Sequence, residues 1–153
     1  MTNPRIKSGD EHEDGGVAHL DVGEGNPLRK RYMKSFVVGR VDELAEGERR
    51  VISCNGTEVG VFNVDGQLVA WYNQCAHRGG PVCQGRIYRQ VREPVNENGE
   101  TRTLQYDAKR KNIVCPWHGW EFDLRTGHHP GGERFALRRA KLEIADGHIY
   151  VIV

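Results

Sequence analysis

The residues of this chain best able to do chemistry lie in two short segments. The first is Cys75-Ala76-His77-Arg78-Gly79-Gly80-Pro81 and the second is Cys115-Pro116-Trp117-His118-Gly119-Trp120. Each offers a thiolate and an imidazole two or three positions apart, then runs into glycine, where a backbone can turn sharply. A metal centre needs converging ligands and a loop able to curl around them, and each segment can present two ligands from one turn. Two Cys and two His suit either zinc or an iron–sulfur centre. One such segment alone would be weak evidence. Two of them, both rich in Gly and Pro, make a strong signal.

Strands must position these loops. Phe36-Val37-Val38 opens an apolar run, and Glu58 to Val64 alternates with a period near two, as a half-buried strand does. Asp65-Gly66 then precedes Leu68 to Tyr72, and Asp146-Gly147 separates Leu142-Glu143-Ile144 from His148 to Val153. Such pairs predict tight hairpins, because both central residues of a type I′ turn need positive φ. Asn98-Gly99, between Val91–Val95 and Thr101–Tyr106, predicts a third. The only helical signal is a single turn at Val41 to Ala45, so the expected class is all-β. Residues 1–34 read as a polar arm, acidic first (Asp10, Glu11, Glu13, Asp14) and basic last (Arg29, Lys30, Arg31, Lys34). Few apolar residues anchor it, so it is expected either to drape loosely or to wrap a neighbouring subunit in a homo-oligomer. Residues 35–153 are expected to form the domain proper.

The 153 residues suit one domain, and 37% hydrophobic content allows a modest core. With 22 Lys and Arg against 21 Asp and Glu the net charge is +1, which gives no support for nucleic-acid binding. No segment is long and apolar enough to span a bilayer, and Met1 to Asp14 has no secretory character. A soluble cytoplasmic protein is therefore expected, with cysteines serving as ligands or buried thiols. Cys54 and Cys83 fall outside the ligand pattern and are expected to be buried, Cys83 near the metal, without a disulfide between them. No GxGxxG, P-loop or Ser-His-Asp order suggests a second active site, and no residue is assigned a catalytic role.

The two loops resemble the signature of Rieske iron–sulfur proteins: Cys-x-His, a spacer, then Cys-x-x-His. The run Trp120-Glu121-Phe122-Asp123-Leu124-Arg125-Thr126-Gly127 resembles the end of the Rieske domain of ring-hydroxylating oxygenases and their ferredoxins. The resemblance covers residues 35–153. It implies antiparallel sheets carrying a cluster-binding subdomain of two loops, and a [2Fe-2S] cluster. Cys75 and Cys115 would hold the inner iron, with His77 and His118 on the outer one. Two thiolates bring an oxidised two-iron, two-sulfide core to zero charge, so an added electron is accepted more readily than by a four-Cys centre. The implied function is one-electron transfer by a ferredoxin, from a flavin-dependent reductase to a terminal oxygenase or related oxidoreductase. A fixed electron-transfer subunit of a larger complex is the alternative, and a zinc-bound structural module the non-redox one. A complete oxygenase would need a second, mononuclear-iron domain, so an electron-transfer component is expected rather than a self-contained enzyme.

Several positions depart from relatives in respiratory and photosynthetic complexes. Gly80 and Trp117 stand where those proteins have a disulfide clamp, and Trp120 and Phe122 stand where they have hydroxyl donors. Fewer donors imply a potential toward the lower end of about −150 to +300 mV. Trp117 and Trp120 are expected to shield the cluster. Arg78 is expected to aid docking or balance charge, and His128-His129 to be structural or surface residues. The spacer from 78 to 114 is long. Within residues 85–114, Arg86, Arg89, Arg92, Arg102, Lys109, Arg110 and Lys111 oppose Glu93, Glu97, Glu100 and Asp107, a surplus of +3. This insert reads as a solvated hairpin, an oligomer contact or a docking surface for an acidic partner.

Overall fold

The computed structural model describes residues 33–153, and the expectations for the arm up to residue 32 lie outside the described residues. Eleven strands follow in order: β1 (Ser35–Arg40), β2 (Arg49–Cys54), β3 (Thr57–Val64), β4 (Gln67–Tyr72), β5 (Arg86–Arg92), β6 (Gln105–Val114), β7 (Glu121–Asp123), β8 (His128–His129), β9 (Gly132–Ala136), β10 (Lys141–Ala145) and β11 (His148–Ile152). The helical signal at Val41 becomes one 3-10 turn, Val41–Glu43. All pairings are antiparallel, so the all-β expectation holds. Among the described residues no helix is long and apolar enough to cross a membrane.

The sheet β2-β3-β4 is the middle layer. Side chains alternate across a strand, and β3 is buried on both faces. Val59 and Val61 join a core with Val38, Ala140, Ile149 and Val151 of the sheet β1-β11-β10 and its approach. Phe62 and Val64 point the other way, into a core with Trp71, Val82, Ile113, Phe122, Leu124 and both loop cysteines. The loops therefore sit on one face of the middle sheet and the terminal sheet on the other.

The Asp65-Gly66 and Asp146-Gly147 hairpins form as expected, with φ of 52° and 77°, and 48° and 73°. Asn55-Gly56, at 51° and 84°, makes an equivalent turn between β2 and β3 that was not anticipated. Asn98-Gly99 differs. Only Gly99 has positive φ (79°), and the connection runs from Arg92 to Gln105 through a single Val95–Thr101 bridge. The cause is Asn96, whose Oδ1 accepts N–H groups from Asn98 and Glu100 and closes a wider turn.

The insert is seated by ion pairs. Lys111 Nζ lies 3.0 Å from both Glu46 and Asp65, and Arg125 bonds Asp65 at 2.9 Å. Arg92 pairs with Asp107 at 2.7 Å, so part of the expected basic surplus is neutralised. The Asp107 carboxylate also accepts the N–H groups of Lys109 and Arg110, and the register there jumps from Arg89–Lys111 to Val91–Tyr106. Beyond the jump the hairpin leaves Val91, Val95, Leu104 and Tyr106 exposed.

Trp71 joins the layers. It is 1% exposed, and its Nε1–H donates to Leu124 O at 2.9 Å. Gly127 (φ 78°) passes so close that a Cβ there would stand 2.5 Å from the indole. Gly127→Ala, which combines overpacking with left-handed backbone strain, is expected to destabilise the fold by about 3 kcal/mol in urea unfolding. Lys111 holds the Glu46 and Asp65 carboxyls below the usual carboxylate range through direct hydrogen bonds. Because the folded values are depressed, their contribution is present above that range and is lost as the pH falls below about 4. Lys111→Met is expected to flatten this acid limb, read as the urea midpoint against pH.

Candidate metal centre

Both loops are closed by the same backbone bonds. Cys75 N–H donates to Gly80 O at 2.8 Å, and Gly79 N–H donates back to Cys75 O at 2.8 Å. Cys115 N–H donates to Trp120 O at 2.8 Å, and Gly119 N–H to Cys115 O at 3.0 Å. Gly79 (φ 73°) and Gly119 (φ 71°) occupy the position that needs left-handed backbone. Each loop is thus one six-residue turn with Cys first and Gly fifth. This equivalence was not read from the sequence, although the shared Cys-x-x-x-Gly spacing signals it.

A buried asparagine and an exposed arginine anchor the first loop. Asn73 is 5% exposed; its Oδ1 accepts the Cys83 N–H at 2.8 Å and its Nδ2 donates to Glu58 at 2.8 Å. Arg49 donates to the carbonyls of Gly85 and Gln84 where the loop leaves for β5. Gly85 lies against Val114 O with no room for a Cβ, so the exit of one loop abuts the entry of the other.

The four expected donors come together in two tiers. Cys75 and Cys115 are 5% and 2% exposed, with their thiols within hydrogen-bonding reach of each other. His77 is half-buried and His118 exposed, and their rings meet edge to face with centroids 4.9 Å apart. Burial pushes the Cys75 thiol up, opposed by N–H groups of His77 and Arg78 that donate toward its sulfur. Loss of solvent lowers His77, assisted by the charges of His118 and Arg78. A neutral imidazole is the ligating form, and a buried thiol ionises readily only when a cation arrives. Among the described residues, no three Cys, His, Asp or Glu side chains converge on one ion position. A tetrahedral zinc site would bring four donors to one point. Two thiols inside and two imidazoles outside instead fit a two-iron group, in which each metal takes only two protein ligands.

The remaining candidates fall around this set. Cys83 is fully buried in the same core, its thiol pushed up to about 12 by burial. Cys54 belongs to the other core, and all four cysteines are free. Trp120 is half-buried and stacks on His77, with centroids 4.5 Å apart and planes 4° apart, so it does cover the site. Trp117 is 59% exposed and leaves most of its ring in solvent. His129 packs 4.9 Å from Trp120 and accepts the Gly131 N–H on Nδ1, a structural role. His128 is exposed beside it, and Arg78 is exposed next to His77. Phe135, edge-on to Trp120 at 5.0 Å, is a covering residue that sequence patterning did not reveal.

Comparison with known proteins agrees with this geometry. A human Rieske domain-containing protein is 31% identical over 109 residues, 71% of this chain and 58% of that protein. The ferredoxin component of naphthalene 1,2-dioxygenase/salicylate 5-hydroxylase systems of Ralstonia sp. is 24% identical over 57% of this chain and 64% of its own length. The chain thus spans less than two thirds of either relative. Among solved structures, the ferredoxin of carbazole 1,9a-dioxygenase from Nocardioides aromaticivorans IC177 shares the fold. Its TM-score is 0.51 at 21% identity, covering 76% of this chain and 95% of that one. The model of the Rieske [2Fe-2S] domain matches residues 34–136, and with the two-tier donor set at its centre the chain belongs to that [2Fe-2S]-binding family.

Proposed function

We propose that this chain is a one-electron carrier, with Cys75 and Cys115 on the inner iron and His77 and His118 on the outer iron of a [2Fe-2S] cluster. The observation that carries the reading is the depth difference, with thiols buried in the core and imidazoles at the surface. When bound, the cluster supplies reversible one-electron chemistry. The chain's own residues give it a dry inner side, through Val82, Cys83, Ile113 and Phe122, and an outer side open to a partner at His118. Hydroxyl-free Trp120 and Phe122 beside the site support a low potential. The domain extends past residue 136 to 153, because β10 and β11 complete the sheet begun by β1. The oxygenase-system ferredoxin component among its relatives supports an oxygenase as acceptor, and a flavin-dependent reductase would be the donor. The reading places the protein in the cytoplasm, where thiols stay reduced.

A second reading, a fixed electron-transfer unit of a larger assembly, is favoured by one feature. Beyond its register jump the β5–β6 hairpin pairs Val91 with Tyr106 and leaves both exposed, along with Leu104 and Val95, apolar side chains that a partner would cover.

Anaerobically purified protein reduced with dithionite is expected to give a rhombic EPR signal with average g below the free-electron value. A silent spectrum with zinc found by metal analysis would overturn both readings. His77→Cys and His118→Cys are each expected to lose the cluster or to lower its midpoint potential by on the order of 100 mV or more, since thiolate replaces a neutral ligand. Unchanged spectra in both variants would remove them from the ligand set. Sedimentation separates the two readings: a carrier stays small and soluble, and Leu104→Ser/Tyr106→Ser leaves its state unchanged. A fixed unit self-associates through this hairpin and is released by the same change.

A further inference from the structure

The two loops touch reciprocally. Numbering each six-residue turn from its cysteine, the third residue of the second loop (Trp117) meets the sixth of the first (Gly80). The sixth of the second (Trp120) meets the third of the first (His77). At Gly80 an added Cβ would stand 2.9 Å from Cγ and Cδ2 of Trp117 and 3.0 Å from Cys115 Sγ. Gly80 is not among the residues with positive φ. Glycine is therefore needed here for close approach rather than for backbone freedom. At the other contact the Trp120 and His77 rings lie parallel, 4.5 Å apart. Neither contact involves a metal.

We propose that Trp117 and Trp120 are positioning residues that staple the second loop to the first, Trp117 over Gly80 and Trp120 over His77, holding the four donors in register. The role explains why an indole with 59% of its surface in solvent sits beside the ligands. Its working contact is Cγ and Cδ2 against Gly80, and its ring also stands edge to face with His118 at 6.3 Å between centroids. Since Gly80 also borders Cys115 Sγ, the staple and the inner donor share one space, and a side chain at position 80 would displace both. No thiol takes part in the contact, so reductants leave it intact.

The inference rests on the proposed ligand set only for its cluster readout, and its first test is independent of that set. The Cβ of Trp117 is one bond from its Cγ, which puts it within about 4.4 Å of a Cβ at position 80, inside the range of about 3.5–4.5 Å that a disulfide spans. Gly80→Cys/Trp117→Cys, made in the full chain as purified with its metal, is expected to cross-link with diamide, since removal of the indole frees the space beside position 80. Two thiols give up two protons and two electrons to the diamide, and mass analysis reads the loss of two hydrogens in a peptide joining the loops. Absence of the 80–117 link overturns the inter-loop contact whatever metal the native protein holds.

The second test reads iron release from cluster-loaded protein to a chelator. Trp117→Ala is expected to speed release about tenfold, the scale of a lost supporting contact, while Trp117→Phe stays near the native rate. Gly80→Ala is expected to lower cluster content, and Trp117→Ala in the same chain to restore part of it. Native release in Trp117→Ala, or equal acceleration in Trp117→Phe, would overturn the staple. Purified protein that carries no iron at all, with the cross-link formed, would instead indict the ligand assignment.

Discussion

The structure depends on one constraint: two thiols must be kept in an apolar interior while two imidazoles, two or three residues further along, reach the surface. A six-residue turn meets this demand. Its first N–H and C=O are both consumed in closing the loop, at 2.8–3.0 Å, so the cysteine backbone has no freedom left. The side chains then diverge in depth because the turn does. Everything else supports two such turns side by side. The Gly85–Val114 approach brings loop exit to loop entry, and Asn73 fixes the start of the first loop from within the core. The middle sheet gives both a common floor through Phe62, Val64 and Trp71.

Trp71 makes that floor continuous with the segment after the second loop. Its indole N–H reaches Leu124 O, its ring closes on Gly127, and Arg139 lies 4.8 Å above it. The Leu124-Arg125-Thr126-Gly127 run is thus a structural strap. Asp123 accepts the N–H groups of Arg125 and Thr126, Arg125 reaches the Asp65 turn, and Gly127 makes the final bend. The residues that carry the family resemblance outside the loops do packing work.

What could be read from the sequence follows from the range of the forces involved. The donors and the Asp65-Gly66 and Asp146-Gly147 turns were legible because their chemistry is local: ligand spacing in one case, positive φ in the other. Asn55-Gly56 carries the same signal, but Ser53-Cys54 and Thr57-Glu58 on either side lack clear apolar alternation. Asn98-Gly99 misled because a neighbouring side chain, Asn96, captured the backbone first. The register jump in β6 depends on Asp107 bonding both backbone and Arg92, a choice no periodicity records. The reciprocal contacts between loops join residues about forty positions apart, and only the folded sheets bring them together.

The pairing at the edge of the terminal sheet has its own consequence. Lys34 and Val153 exchange backbone hydrogen bonds of 2.9 and 3.1 Å, continuing the β1–β11 ladder. Lys34 and Val153 therefore lie side by side, on the face of the middle sheet turned away from the loop cysteines. Such a domain is modular. Spliced into a loop of another protein, or cut and rejoined elsewhere, it would disturb its host at a single point while its cluster-binding end stayed free to turn outward.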